Sequence, residues 1–77
     1  MKILVTGPYE ENYNRTRIIL NGLKRLGHEV IERPLKIHQL SAIAQIQCDL
    51  VYLPCFMHKA VPKAKKYATA PLVFDPT

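Results

Sequence analysis

The sequence has few acidic residues, few cysteines and no long apolar run, and each shortage excludes a class of protein. Six Asp and Glu stand against eleven Lys and Arg in 77 residues, and the resulting net charge of +5 can attract small anions. The basic residues are scattered and form no long run, so we expect no nucleic-acid partner. No apolar stretch approaches the roughly 18 residues that a membrane span needs, so we expect no transmembrane segment.

Cysteine and histidine are too dispersed to predict a metal or redox site. Cys48 and Cys55 lack close paired spacing, and none of the three histidines lies four residues from another. We therefore expect no metal and no cofactor, and we interpret both cysteines as reduced thiols in or near the core of a cytoplasmic protein. The apolar run at residues 3–5 is too short for the apolar core of a signal peptide, which agrees with a cytoplasmic location.

Short apolar runs alternate with helical periodicities along the chain. Runs at 3–5, 28–32, 50–53 and 72–74 have the character of strands buried in a parallel sheet. A helical stripe precedes Gly27, which suits a left-handed C-terminal cap, and weaker helical patterns cover 35–47 and 60–68. The order βαβαβαβ predicts one partial, Rossmann-like or flavodoxin-like α/β domain over residues 1–77, with three layers and an open parallel sheet of four strands.

Two strand orders, 2-1-3-4 and 3-2-1-4, fit this pattern. In the order 2-1-3-4, right-handed crossovers would place the first helix on one face of the sheet and the other two helices on the opposite face, and the order 3-2-1-4 puts the reversal elsewhere but leaves the same deficit of helices. Apolar side chains of the third and fourth strands would then meet water beside the single helix. Because such patches usually mark interfaces, we expect a truncated domain that forms a homodimer.

The loop after the first strand is the most informative candidate site, because open α/β sheets bind ligands at the carboxyl ends of their strands. Gly7 allows close backbone approach, and Asn12 or Asn14 can cap the following helix. The loop matches neither a dinucleotide-binding nor a Walker motif, and Glu10 and Glu11 would repel a phosphate. We favour an ordinary capped turn over a phosphate site.

Two further candidates follow the third and fourth strands. His58 is a possible base or hydrogen-bond donor, although an exposed loop histidine is the commoner outcome. Asp75 could bind a hydroxyl or orient a histidine, or it could be a turn residue before Pro76. The sequence leaves both alternatives for Asp75 open.

Several segments together resemble a known enzyme family. Residues 2–7 and residues 23–30, which end in Gly-His-Glu-Val, resemble the opening of glycosyltransferases with two Rossmann-like domains, the GT-B fold. Residues 49–52, 61–66 and 71–75 resemble a later strand, helix and strand of the amino-terminal domain in group 1-type members. In that family the amino-terminal domain mainly binds the acceptor, and the carboxyl-terminal domain holds the nucleotide-sugar.

The resemblance implies a glycosyltransferase-related, acceptor-side domain that is inactive by itself, because its residues include no donor domain and no Glu-containing donor motif. It implies a sugar acceptor or a nucleotide-sugar as ligand, and a second copy or a separate donor-domain chain as partner. It names no catalytic residue. The ligand-binding residues expected on the acceptor side are Gly7, Pro8, Asn12, Asn14, Arg15, Phe56, His58 and Asp75.

Three rival hypotheses remain open from the sequence. One is a small active transferase assembled by dimerisation. Another is a Rossmann-like module that binds a nucleotide or another small anion. The third is a structural homodimer that has no ligand and no catalysis.

Overall fold

Four parallel strands form the sheet on which every other element packs within the described part of the chain. The computed structural model describes residues 1–10, 12–55 and 57–76. The strands lie in the order β2-β1-β3-β4, which confirms the α/β prediction and selects 2-1-3-4 from the two alternatives. The elements are β1 (Lys2–Gly7), α1 (Asn14–Arg25), β2 (Glu29–Pro34), a 3-10 helix (Ile37–Gln45), β3 (Leu50–Pro54), α2 (Ala60–Tyr67) and β4 (Leu72–Asp75).

The two faces of the sheet carry different helices, as expected from right-handed crossovers. On the α1-side face, Ile3, Val5 and Tyr52 form a core cluster with Leu20 of α1. The opposite, two-helix face carries a larger buried cluster, which comprises Leu4, Leu40, Ile43, Val51, Leu53, Cys55, Ala60 and Ala64. Alternate residues of β1 and β3 supply the two clusters, because successive side chains of a strand point to opposite faces.

The C-terminus of α1 confirms the prediction of a glycine cap. Gly27 has φ +92, and its N–H donates to the carbonyl of Lys24 over 3.1 Å. The N–H of His28 donates to the carbonyl of Leu23 over 3.2 Å. These two bonds make a Schellman motif, which satisfies carbonyls that the helix leaves free and turns the chain into β2.

The second predicted helix differs in kind and in length from the expectation. Residues 35–47 were expected to be helical, whereas the structure has a 3-10 helix at Ile37–Gln45. Side chains three residues apart eclipse one another in a 3-10 helix. Ile37, Leu40, Ile43 and Ile46 repeat at that interval, and the middle two are fully buried. The packing of this repeat onto the sheet explains the tighter helix.

The uncovered area on the α1-side face is smaller than expected. Val73 of β4 is 45% exposed, as expected for an apolar side chain of the fourth strand on this face. Tyr52 of β3 was expected to meet water, but it is only 9% exposed, because its ring joins the α1 cluster. β4 itself lies at the edge of the sheet between Pro71 and Pro76.

None of the helices in the described residues has both the length and the apolar character that crossing a membrane requires.

Candidate functional site at the carboxyl edge of the sheet

Gly7 shapes the loop that leaves the carboxyl end of β1. Its φ is +103, and a Cβ built on it would overlap the Cδ1 atom of Leu53 in β3. The N–H of Tyr9 donates to the Gly7 carbonyl over 2.9 Å, so the chain reverses tightly at Pro8. Only glycine combines this backbone conformation with this close approach. The prediction that Gly7 permits close backbone approach is confirmed, and the neighbour that it meets is a core side chain.

A cavity of about 360 Å³ lies between this loop, the start of α1 and the end of β3. We call it the edge cavity. Its volume falls within the range of small-molecule sites, and it opens at the sheet edge where α/β proteins bind ligands. Two tyrosines and one threonine, Thr16, are among its lining residues. The full lining is Pro8, Tyr9, Glu10, Tyr13, Thr16, Pro54 and Cys55.

The start of α1 is not capped as the sequence suggested. Tyr13 occupies the N-cap position, and no side-chain capping bond forms among the described residues. Asn14 is the first helical residue and Asn12 is exposed, so neither asparagine caps α1. The chain is turned instead by the N–H of Tyr13, which donates to the Glu10 carbonyl over 3.2 Å. This turn places Tyr13, half exposed, on the wall of the edge cavity.

Arg15 and Asp75 meet although 60 residues separate them. The Nη2 atom of Arg15 lies 3.2 Å from Oδ1 of Asp75, and the hydroxyl of Tyr52 donates to the other carboxylate oxygen. The Tyr52 hydrogen bond and the Arg15 contact hold the pKa of Asp75 below its usual value, against the opposing effect of burial. Burial, followed by the bond to Asp75, raises the pKa of Tyr52. Asp75 is therefore charged at neutral pH, and its two carboxylate oxygens are engaged within the chain by Arg15 and Tyr52.

A second ion pair lies on the other flank of α1. Two guanidinium nitrogens of Arg17 contact the two carboxylate oxygens of Glu32 on β2, and the hydroxyl of Tyr9 donates to Glu32 over 2.9 Å. The hydrogen bond from Arg17 is the main reason that the pKa of Glu32 is lowered. Because Tyr9 also lines the edge cavity, this cluster fixes one cavity wall to β2.

The electrostatics of the edge cavity do not favour an anion. Arg15 and Arg17 flank the lining residue Thr16, but each guanidinium already contacts a carboxylate. The uncapped start of α1 would attract an anion by about 0.3–1 kcal/mol. Glu10 is the charged residue among the described lining residues, and like charges about 4 Å apart in water repel by about 1 kcal/mol. This repulsion equals or exceeds the attraction, so no net attraction remains.

The predicted site residues other than His58 divide into three groups. Pro8 lines the edge cavity, Gly7 shapes its loop, and Arg15 and Asp75 form the ion pair beside it. Asn12 and Asn14 are exposed and are not part of the cavity lining. Phe56 lies outside the described residues.

His58 does not meet Asp75 as had been considered. It is exposed, and its ring packs edge-on against Phe74, with 5.5 Å between ring centroids. Phe74 packs with the two-helix cluster, whereas Asp75 bonds to Tyr52 of the α1-side cluster. Neighbouring residues of β4 point to opposite faces, and this alternation separates the two side chains.

The cysteine of the cavity is not a nucleophile. Cys55 is buried and free, and burial raises the pKa of its thiol, so the thiol stays protonated at neutral pH. Cys48 is also free and half-buried, which agrees with the prediction of reduced thiols in or near the core. Among the described residues, no group of three His, Cys, Asp or Glu side chains could hold a metal ion.

Comparisons with known proteins find no matching family model, no matching curated protein and no matching solved structure.

Proposed function

We propose that this chain is the acceptor-side domain of a GT-B-type glycosyltransferase and that it binds a sugar acceptor in the edge cavity. The observation that carries the proposal is the lining of that cavity. The described lining includes two aromatic residues, Tyr9 and Tyr13, and two polar residues, Thr16 and Glu10, and none of its described residues is lysine or arginine. A pyranose ring presents C–H groups that pack on aromatic rings and hydroxyls that bond to such polar groups.

The rival interpretation as a nucleotide or anion module has less support. A diphosphate is usually held by arginine forks, lysine ammonium groups or glycine-rich backbone loops. Arg15 and Arg17 are engaged by Asp75 and Glu32, and the loop after β1 has a single glycine. A neutral acceptor fits this arrangement better than a nucleotide does.

The transfer reaction needs a nucleotide-sugar donor, and we assign its site to a further domain or to a partner chain. The described residues would then supply binding and orientation of the acceptor, while the donor side would supply the activated sugar. Cytoplasmic location belongs to the same proposal. Acceptor binding is the part of the reaction that this chain would perform alone.

Binding can be tested by ¹⁵N chemical-shift titration of the chain with glucose, galactose and mannose, and separately with uridine diphosphate. We expect millimolar binding of at least one sugar, with shifts centred on Tyr9, Tyr13 and Cys55. Tyr13→Ala should weaken that binding about fivefold or more, because a ring contact contributes on the order of 1 kcal/mol. Tyr13→Phe keeps the ring and serves as the matched control.

Binding of uridine diphosphate with no response to any sugar would contradict the proposal and support the anion module. The location of the shifts adds information, because a second hollow beside the loop is lined in part by Lys36 and Gln39. Diphosphate shifts confined to those two residues would indicate an anion site there.

Self-association through the α1-side face also stays a proposal. Val73, Ile18 and Leu26 are 45%, 71% and 75% exposed, and a homodimer or a donor-domain chain that covered them would remove apolar surface from water. Sedimentation velocity over a wide concentration range tests the homodimer. A monomer at every concentration would rule it out.

A further inference from the structure

Arg15 and Arg17, the sequence neighbours of the cavity-lining residue Thr16, each contact a carboxylate. Arg15 and Arg17 flank Thr16, which lines the cavity, and they point to opposite flanks of α1. Arg15 contacts Asp75, and Arg17 contacts Glu32 through both carboxylate oxygens. The Arg17 fork, held through both Nη atoms, cannot also hold a phosphate in the same geometry, whereas Arg15 is drawn to Asp75 through one Nη atom.

Each of these carboxylates is anchored by a tyrosine hydroxyl as well as by its arginine. Tyr52 donates to Asp75, and Tyr9 donates to Glu32. Both carboxyl groups have lowered pKa values, so both stay charged at neutral pH and keep their partners.

Glu10 is a further carboxylate of this region. It is exposed and belongs to the cavity lining. An acceptor that carries a phosphate would approach this charge, and none of the described lining residues carries a guanidinium group. A neutral sugar would meet instead a carboxylate that accepts hydrogen bonds from its hydroxyls.

We propose that the edge cavity selects neutral acceptors over phosphorylated ones, with Glu10 repelling the anion and with Asp75 and Glu32 holding the arginines out of reach. This inference rests on the proposed function, and it names the substrate class of the same site. Glu10 acts on the ligand directly. Asp75 and Glu32 are positioning residues, which act through Arg15 and Arg17.

The test compares binding of glucose, galactose and mannose with binding of their 6-phosphates to the wild-type chain and to three variants. Glu10→Gln removes the charge at the cavity, and Asp75→Asn releases Arg15. Glu29→Gln is the matched control, because Glu29 is an exposed carboxylate at the opposite end of β2 whose nearest cation is Lys2, 3.9 Å away. All three variants change the net charge equally.

In the wild type we expect the best-bound neutral sugar to bind up to about threefold more tightly than its 6-phosphate, since the repulsion of one like charge at contact distance exceeds the attraction at the start of α1. Glu10→Gln and Asp75→Asn should each lower this ratio to about one or below, and Glu29→Gln should leave it unchanged. Shifts of the Arg15 side-chain resonances on addition of a 6-phosphate should appear only in Asp75→Asn.

The other outcomes separate failure of this inference from failure of the proposed function. Equal or tighter binding of the 6-phosphates by the wild type overturns the inference and leaves sugar binding intact. A ratio that changes as much in Glu29→Gln as in Glu10→Gln shows a bulk charge effect and also overturns it. If neither class of sugar binds, the proposed function fails first and this inference fails with it. Glu10 is exposed, so its variant remains informative even if Asp75→Asn folds poorly.

Discussion

The two faces of the sheet are held to their helices by different kinds of contact. On the two-helix face, seven fully buried residues from β1, β3, the 3-10 helix and α2 form one apolar cluster, and Cys55 extends it to the carboxyl edge. On the α1-side face four buried residues form the cluster, and ion pairs to β2 and β4 flank the helix. The single helix α1 is therefore held by apolar packing at its centre and by ion pairs at its sides. The candidate site lies beside these ion pairs, at the carboxyl edge of the sheet.

The largest expected effect is the loss of stability when a buried leucine is truncated to alanine on each face of the sheet. Leu53→Ala and Leu20→Ala each remove a fully buried leucine, and such changes cost about 2–5 kcal/mol. We expect the loss to be greater for Leu53, because two helices hold its surroundings while α1 alone can shift toward the void at Leu20. Urea unfolding of both variants gives the two free energies.

An equal or larger loss for Leu20→Ala would show that the α1-side face is as firmly packed as its opposite.

The next largest loss of stability is expected at Gly7, where the chain leaves β1 at the candidate site. Gly7→Ala combines a positive φ with overlap on Leu53, and we expect a loss of about 1–3 kcal/mol in the free energy of unfolding. The double variant Gly7→Ala with Leu53→Ala should lose less than the sum of the two single changes, because the overlap is gone. Chemical denaturation of the wild type, the two single variants and the double variant completes this double-mutant cycle.

Gly22→Ala is the control for the glycine change. A Cβ at Gly22 meets nothing within 4 Å, and this glycine lies inside the exposed part of α1. We expect stabilisation of up to about 1 kcal/mol there, with the opposite sign to Gly7→Ala. Destabilisation by both changes would point to a general effect of glycine replacement.

A smaller effect is expected when the contacts of Asp75 with Arg15 and Tyr52 are weakened. Asp75→Asn should lower the free energy of unfolding by about 1 kcal/mol, since it weakens both the Arg15 contact and the Tyr52 hydrogen bond. Amide hydrogen exchange in the first turn of α1 should accelerate, while exchange in the 3-10 helix should not. Unchanged exchange in α1 would mean that packing alone holds this helix. Glu29→Gln, with its exposed pair, should change stability by less than about 0.5 kcal/mol.

The smallest expected effect is the fall in the free energy of unfolding at acid pH, when the carboxylates of Glu32 and Asp75 become protonated. Glu32 and Asp75 have pKa values below their usual values in the folded state, so their stabilisation is present above about pH 4.3 and is lost as pH falls through the folded values. Between pH 5 and pH 2, the free energy of unfolding of Glu32→Gln should therefore fall by about 0.5 kcal/mol less than that of the wild type. Thermal unfolding measured across that range gives the slopes, and parallel curves would contradict the assignment.

Much of the fold follows from local patterns in the sequence. The apolar runs, the helical stripe of α1 and the glycine at position 27 each act over a few residues, so they predict strands, a helix and its end. The 3-10 helix carried a signal too, in the three-residue spacing from Ile37 to Ile46. That spacing was missed because the same residues also fit a weak α-helical stripe.

The candidate site is harder to predict, because it depends on contacts between distant segments. Arg15 and Asp75 were both named from the sequence, but their contact requires β4 to lie beside β3 on the side toward α1. Tyr9 and Tyr13 were not named, although two tyrosines beside Gly7 were a usable signal. Their place on a cavity wall depends on the turn that the loop adopts, and the sequence suggested an asparagine cap there.

The prolines on either side of β4 restrict how another chain can join this molecule. Proline has no N–H to donate, so a strand laid along the free edge of β4 has a ladder of only the four residues Leu72–Asp75. The carbonyl of Pro71 already accepts from Val51 of β3 over 2.9 Å. Extension of the sheet from one molecule to the next is therefore disfavoured. A partner at this end of the sheet is directed to its face, where Val73 lies open, and assembly by face packing leaves the carboxyl edge accessible to a ligand.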